Sequence, residues 1–358
     1  MKVSGQTVRE VMRVSLGGDR LRVRFSNAFG TAPVALGSVR IGLHGSGSAV
    51  TSSRELRFGG ASSVTLPAGG AVVSDPVALS VAALSEIVVS LYLPGAVTVM
   101  TEHASAHETT YISAPGDATG TGTLPEGKAT ESWYLLAGVD VEREGGQAVV
   151  AIGDSLTDGD RSTRDANHRW TDRLAERLNG GRGVVNEGMS GNRLLHDHDS
   201  FGKSALARFD ADVLGQPGAR YVVVAEGLND IGMPGAFDLP GETVTAEQII
   251  QAHQQLIERA RARGLRVYGA TMSPYEGVAF KGYYTAEGEA KRQAVNAWLR
   301  SSKAYDALLD FDAVLRDPEH PARLNPAFAS VDHIHPNDAG YRAMGDAVNL
   351  ALFDDGAP

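Results

Sequence analysis

The feature that most constrains this chain is a continuous apolar run that ends in a turn of small polar residues. Residues 148–152 read Ala-Val-Val-Ala-Ile, and Gly153-Asp154-Ser155 follows directly. Nothing polar interrupts the run, which is typical of a strand buried on both faces. Ligands of open α/β sheets bind at the carboxyl ends of such strands. The pattern therefore predicts that Ser155 is a nucleophile and that other segments supply its base, an orienting carboxylate and oxyanion donors.

The second half of the chain alternates apolar runs with helical patterns. The runs lie at 148–152, 184–185, 221–225, 267–270 and 307–311, and the helical segments lie near 169–179, 204–214, 246–263, 285–300 and 338–352. Alternation of this kind predicts a parallel sheet sandwiched by helices. We therefore expect an α/β domain over residues 146–358.

The first half has a different pattern. Residues 21–25 and 38–41 alternate apolar with polar side chains, and glycine pairs recur between such runs, as at 17–18 and 59–60. Many short strands separated by turns favour a β-sandwich or jelly roll. The apolar region at 77–100 is interrupted by Ser, Glu, Pro and Gly, so strands and a turn are expected there and no membrane span. We predict an all-β domain over residues 1–145, with a polar linker at 142–147.

Composition narrows the possible functions. The net charge of −10 argues against a nucleic-acid partner, which would require a basic face. The chain has no cysteine, which excludes disulfides, thiolate zinc sites and cysteine nucleophiles. No apolar leader follows Met1, which fits a cytoplasmic protein or one whose leader is absent from this chain. The second interpretation, a secreted or periplasmic protein, is slightly favoured, and the oligomeric state stays open.

Three more polar motifs follow or precede predicted elements of the second half. They are residues 186–192 after the second apolar run, 226–230 after the third, and 332–336 before the last helical segment. A serine hydroxyl is a weak nucleophile until an imidazole accepts its proton, and His335 can do this. Asp332, three residues earlier, can hold the other imidazole nitrogen if the turn is tight. The Gly191 and Ser155 backbone N–H groups and the Asn229 side-chain amide are candidate oxyanion donors.

These four motifs resemble blocks I, II, III and V of the SGNH (GDSL) hydrolase superfamily. The matching residues are, in block order, Gly153-Asp154-Ser155-Leu156, Ser190-Gly191, Gly227-Leu228-Asn229-Asp230, and Asp332 with His335. The resemblance covers residues 147–358 and implies the flavodoxin-like SGNH fold. It also implies that Ser155 is the nucleophile, that Asp332 and His335 complete the triad, and that Gly191 and Asn229 bind the oxyanion. The first half, through residues 133–140, looks like the β-domain of some bacterial two-domain esterases.

The sequence thus predicts a serine esterase that needs no metal or cofactor. It would hydrolyse carboxylic esters of small molecules, lipids or glycans through an acyl-serine intermediate. An alternative is a carbohydrate esterase that deacetylates glycans, and another is a non-catalytic glycan-binding protein on a hydrolase scaffold. The intact motifs argue against the non-catalytic interpretation. The run His196-Asp197-His198-Asp199 superficially suggests metal ligands, but a solvated loop is expected there.

Some nearby residues have competing interpretations. Tyr275, Tyr283 and Tyr284 form an aromatic-rich segment after the fourth apolar run. They could line an acyl or alcohol pocket, or they could pack under the loop that carries them. Asp154 is expected to hydrogen bond to the backbone of its own turn rather than take part in catalysis. His333 is expected to be a neighbour of the base and not a participant.

Overall fold

A computed structural model describes residues 2–125 and 127–354 of the chain. The chain divides into two compact units. One contains the residues up to Gly146 together with Asn179–Gly181, and the other contains Gln147–Leu178 and the residues from Arg182 onward. The predicted domains, 1–145 and 146–358, also include Met1, Glu126 and residues 355–358, which lie outside the described residues. Within the described ranges, no helix is both long enough and apolar enough to cross a membrane.

The first unit is built from short antiparallel strands. They are β1 (Gln6–Arg13), β2 (Gly18–Ser26), β3 (Val34–Leu36), β4 (Val39–His44), β5 (Val50–Glu55), β6 (Val64–Leu66), β7 (Ala71–Val73), β8 (Val77–Val81), β9 (Glu86–Leu93), β10 (Glu102–His103), β11 (Thr110–Pro115), β12 (Lys128–Thr130), β13 (Trp133–Tyr134) and β14 (Leu136–Val141). The larger sheet has the order β12-β11-β1-β9-β4-β5. A second sheet has the order β14-β2-β7, with β8 also paired to β2, and β3-β6 and β10-β13 form separate pairs.

The two larger sheets of this unit share one apolar core. The alternating residues Leu21, Val23 and Phe25 of β2 are buried, and they pack in the same cluster as Val39 and Ile41 of β4. Period-two alternation places every second side chain on one face of a strand, which is why these residues point inward. The predicted antiparallel β-domain is confirmed, and its core is that of a β-sandwich. The jelly-roll topology stays a prediction.

The second unit contains a five-stranded parallel sheet in the order β16-β15-β17-β18-β19. Its strands are β15 (Ala148–Gly153), β16 (Gly183–Gly188), β17 (Ala219–Ala225), β18 (Arg266–Ala270) and β19 (Ala307–Leu309). Its helices are α1 (Ser155–Asp158), α2 (Trp170–Leu178), α3 (Ala205–Phe209), α4 (Leu228–Ala236), α5 (Ala246–Arg261), α6 (Ala286–Ser301), α7 (Phe311–Leu315) and α8 (Asp338–Ala347). The second strand lies at the edge beside the first, as in flavodoxin-like sheets, so the predicted fold class is confirmed.

Alternate residues of the interior strand β15 are buried in different cores. Val149 and Ala151 lie in a cluster that includes Tyr341 of α8. Val150 and Ile152 lie in another cluster, with Phe209 of α3. A strand covered by helices on both faces needs apolar side chains at every position, which explains the uninterrupted run in the sequence.

Several predicted elements end earlier than the sequence pattern indicates. The segment predicted at 204–214 is α3 followed by a π-helical turn, Asp210–Leu214. The one predicted at 338–352 stops at Ala347, because Val348 is extended and Asn349 caps a new 3₁₀ helix, Leu350–Phe353. The strand predicted at 307–311 ends at Leu309, since Asp310 caps α7. Helix α4 was not predicted, because glycine and Pro234 are poor helix formers.

We propose that residues 146–358 fold without the β-domain. Neither apolar core of the second unit contains a residue before Val149, and the apolar core of the first unit contains none after Val141. We expect the 146–358 fragment to be soluble and to unfold cooperatively on heating, as followed by circular dichroism beside the full chain. An insoluble fragment, or one without a cooperative transition, would contradict the proposal.

Candidate active site

Ser155 lies in a tight turn at the carboxyl end of β15. The strand ends at Gly153, Asp154 is extended and caps α1, and Ser155 is the first residue of that helix. The Asp154 carboxylate accepts a hydrogen bond from the Leu156 backbone N–H at 2.9 Å. This contact is the turn-stabilising one expected from the sequence, because an Asx side chain commonly bonds to the backbone two residues on. Ser155 is largely buried, with 6% of its surface exposed.

The structure brings Ser155, His335 and Asp332 together. Nε2 of His335 lies 2.9 Å from Oγ of Ser155. Nδ1 of the same imidazole lies 2.9 Å from Oδ2 of Asp332. Because a carboxylate can only accept, Nδ1 carries the hydrogen in this pair and Nε2 is left to accept from the serine. One imidazole therefore links the hydroxyl to the carboxylate in the arrangement that serine hydrolases use.

A tight turn allows Asp332 to reach an imidazole only three residues away. His333 has a left-handed backbone, with φ of 58°. The Ser330 backbone N–H donates to the His335 carbonyl at 2.9 Å and closes the loop. Burial by itself would raise the pKa of Asp332, but hydrogen bonding and charge attraction from His335, with the Ser330 hydroxyl, hold that pKa well below its usual range. Asp332 is therefore ionised. The His333 side chain is exposed.

Two charged residues next to the His335–Asp332 pair were not predicted from the sequence. Nε of Arg161 donates to Oδ2 of Asp332 at 2.7 Å. Oδ2 of Asp160 lies 3.7 Å from Nε2 of His335. Their closeness to Ser155 along the chain is the one signal that could have indicated them, because neither lies in a motif.

Two of the three predicted oxyanion donors, the Asn229 side-chain amide and the Gly191 backbone N–H, lie near each other. Asn229 is in the first turn of α4, and its Nδ2 donates to the Asn192 carbonyl at 2.9 Å. Gly191 precedes Asn192 and has a left-handed backbone with φ of 75°. A Cβ at position 191 would lie 2.3 Å from the Phe201 ring, so only glycine fits at this position.

A family model matches the part of the chain that contains this arrangement. It is the model of the GDSL-like lipase/acylhydrolase family, and it covers residues 151–343. The chain belongs to the GDSL-like lipase/acylhydrolase family. The predicted resemblance to GDSL hydrolases is thereby confirmed, and the chain is a member of a family of ester hydrolases.

Solved structures of other GDSL-like and related esterases are similar to this chain. A carbohydrate acetylesterase from Sinorhizobium meliloti has 16% identity and a TM-score of 0.47, covering 58% of this chain and 100% of that one. The aryl esterase of M. smegmatis has 19% identity and a TM-score of 0.47, covering 58% and 99%. A GDSL-like lipase from Bacteroides thetaiotaomicron has 19% identity and a TM-score of 0.44, covering 59% and 90%. At such TM-scores these similarities decide nothing about substrate. None of the curated proteins matches the chain.

The three tyrosines predicted to bind substrate in this GDSL-like hydrolase occupy different environments. Tyr275 is fully buried, Tyr283 is 4% exposed, and both belong to the apolar core. Tyr284 is partly buried and packs against the same core. Tyr275 and Tyr283 therefore pack under the loop, as in the alternative considered above, and Tyr275 has no exposed surface that a substrate could reach. A substrate contact of Tyr284 stays a prediction.

The His196-Asp197-His198-Asp199 run of the GDSL-like hydrolase makes contacts within the protein. Asp197 accepts from Lys203 Nζ at 2.7 Å, and the His198 ring stacks on Phe201 with centroids 4.7 Å apart. Across residues 2–125 and 127–354, no three His, Asp or Glu side chains are grouped so that they could hold a metal ion.

A buried arginine connects the strand ends around the serine of the GDSL-like hydrolase. The Arg208 guanidinium donates to the Gly153 carbonyl at 3.0 Å, the Glu187 carbonyl at 2.7 Å and Asn192 Oδ1 at 2.9 Å. It also lies 3.5 Å from the carboxylate of Glu226, a fully buried residue just past β17. Burial raises the pKa of Glu226 well above its usual value, the Asp154 charge adds to the increase, and Arg208 only partly opposes it.

The raised pKa of Glu226 predicts a pH-dependent effect on stability. The folded protein favours the protonated form of the Glu226 carboxyl. The stabilisation of the fold that this preference provides is complete below a pH of about 4.3, the pKa of glutamate in an unfolded chain, and it is lost as the pH rises. Glu226→Gln does not titrate, so its free energy of unfolding, relative to that of the unmodified protein, should increase between about pH 4.5 and about pH 8. Urea unfolding at both pH values measures this difference. The exposed Glu258→Gln is the matched control. A Glu226→Gln difference that is constant or falls with pH would contradict the raised pKa.

Proposed function

We propose that this protein is a serine esterase that hydrolyses carboxylic esters through an acyl-serine intermediate. The observation that carries the proposal is the 2.9 Å contact between Ser155 Oγ and His335 Nε2. The other nitrogen of the same imidazole is hydrogen bonded to Asp332. A neutral imidazole at that distance can remove the hydroxyl proton as the oxygen attacks a carbonyl carbon. Membership in a family of lipases and acylhydrolases supports the same chemistry.

In the first half of the reaction, Ser155 Oγ bonds to the ester carbonyl carbon while its proton moves to His335 Nε2. The resulting imidazolium is stabilised by the ionised Asp332, which stays a carboxylate. The carbon–oxygen bond to the alcohol then breaks, and Nε2 returns the proton to the departing oxygen. In the second half, His335 removes a proton from water, and the water oxygen bonds to the acyl carbon. The bond from that carbon to Ser155 Oγ then breaks, Nε2 returns the proton to Oγ, and the acid is released.

The negative charge that develops on the carbonyl oxygen needs donors already in place. We assign this role to the backbone N–H groups of Gly191 and Ser155 and to Nδ2 of Asn229. Within residues 2–125 and 127–354, no protein acceptor is found for the Gly191 N–H, which leaves it available to an oxyanion. One such donor contributes about 10²–10³-fold to the turnover number in serine hydrolases.

Exposed apolar side chains near the proposed site support a substrate ester whose acyl or alcohol group is apolar. In the described part of the second unit, the large apolar side chains that are exposed are Phe237, Phe280 and Val331. Phe237 packs edge-on against Phe201, with ring centroids 5.6 Å apart, and the Phe201 ring lies directly against Gly191. Val331 immediately precedes Asp332, and Ala279, next to Phe280, donates its N–H to the Asp332 carbonyl. Exposed apolar residues grouped near a reactive site commonly contact ligands. We propose that they contact the acyl or alcohol group, together with Tyr284.

The direct test is hydrolysis of p-nitrophenyl acetate and butyrate by the full chain and by Ser155→Ala. We expect the unmodified protein to release p-nitrophenol and Ser155→Ala to lose about 10⁴-fold or more of the turnover number, because the nucleophile is removed. Ser162→Ala is the control, since it deletes a nearby buried hydroxyl that has no hydrogen-bond partner in the described residues.

Two results would contradict the proposal. Folded Ser155→Ala with normal turnover would remove this residue from the mechanism. A folded wild-type protein that hydrolyses no ester would favour the glycan-binding scaffold instead. Acetylated sugars are included in the assay, and hydrolysis of these alone would identify the carbohydrate esterase alternative.

A further inference from the structure

The side-chain amide of Asn229 is held from both sides. Its Nδ2 lies 2.9 Å from the Asn192 carbonyl oxygen, and its Oδ1 lies 2.7 Å from the hydroxyl of Tyr283. A backbone carbonyl can only accept, so the amide nitrogen must face Asn192. The amide oxygen then faces Tyr283, and the tyrosine hydroxyl must be the donor.

We propose that Tyr283 is a positioning residue for the oxyanion site, acting through the amide of Asn229. The inference rests on the proposed function, because it gives Asn229 the role of an oxyanion donor. One N–H of Nδ2 is used by Asn192, next to Gly191, and the other remains for the substrate oxygen. With its hydroxyl in place, Tyr283 prevents the amide from rotating and presenting its oxygen to a developing negative charge.

The ring of Tyr283 is fixed by close packing against α4. Gly232 lies three residues after Asn229 and therefore on the same face of this helix. A Cβ at Gly232 would lie 2.3 Å from Cε1 of Tyr283, so the ring lies directly against the helix backbone. The ring also packs edge-on against Tyr275, with centroids 5.9 Å apart. A buried ring held in this way keeps its hydroxyl within hydrogen-bonding distance of Asn229.

The hydrogen bond has a chemical consequence as well as a geometric one. Donation to Oδ1 polarises the amide, which makes its N–H groups stronger donors, because linked hydrogen bonds reinforce one another. Burial, with added repulsion from the Asp154, Asp230 and Glu226 carboxylates, raises the pKa of Tyr283 well above its usual value. The hydroxyl therefore keeps its proton and remains a donor. Tyr283 influences the reaction through Asn229 and does not touch the ester.

The neighbouring Tyr275 provides a matched control. It is fully buried in the same core, and its hydroxyl has no hydrogen-bond partner in the part of the chain that the structure describes. Tyr283→Phe and Tyr275→Phe each remove one buried hydroxyl and keep the ring. Only the first removes a contact to Asn229.

The experiment measures ester hydrolysis by the full chain carrying each substitution. Tyr283→Phe should lower kcat about tenfold, the effect of one lost hydrogen bond in the transition state, with KM nearly unchanged. Tyr275→Phe should retain kcat within about twofold. Thermal unfolding of both variants shows whether each is folded at the assay temperature.

A double-mutant cycle separates positioning from a general structural effect. In an Asn229→Ala background, Tyr283→Phe should cause almost no further loss of kcat, because the group it orients is gone. If the wild type is active but both tyrosine substitutions lower kcat equally, the inference about Tyr283 is overturned and the proposed function stands. A full tenfold loss that persists in the Asn229→Ala background would also overturn it. An inactive wild type would overturn the proposed function and this inference with it.

Discussion

The hydrogen bond between Ser155 Oγ and His335 Nε2 joins segments separated by 180 positions in the sequence. It requires the end of β15 and the loop before α8 to be held in fixed positions. Helix α8 packs in the apolar cluster that contains Val149 and Ala151 of β15. The Tyr341 hydroxyl, on that helix, donates to the Asp160 carbonyl at 2.7 Å. The apolar packing of the sheet and helix therefore sets the geometry of the proposed reaction.

The sequence predicted the parts of this arrangement that depend on local pattern. An uninterrupted apolar run is typical of a strand inside an α/β sheet that is covered on both faces, and β15 is an interior strand between β16 and β17. Parallel strands place their carboxyl ends at one edge, so motifs that follow different runs were expected to lie near one another. The contact between Asp332 and His335 spans three residues and needed only a tight turn. The left-handed His333 provides that turn.

The sequence could not predict contacts that depend on tertiary packing. Arg161 reaches Asp332 from a left-handed backbone with φ of 70°, and a non-glycine residue in this conformation has no reliable sequence signature. Aromatic residues after β18 were compatible with a pocket or with a core, and only packing against α4 places Tyr283 beside Asn229. The same packing explains Gly232, whose missing side chain lowers helix propensity but makes room for the ring.

Covalent trapping of the nucleophile tests the central claim most directly. Diethyl p-nitrophenyl phosphate resembles an ester at its reactive centre and leaves a stable phosphoryl group on an activated serine. After complete inactivation of the full chain, mass spectrometry of its peptides should show one diethylphosphoryl group, on Ser155. The Ser155→Ala protein should remain unlabelled. Complete inactivation with the label on another residue, or with no label on Ser155, would contradict the account.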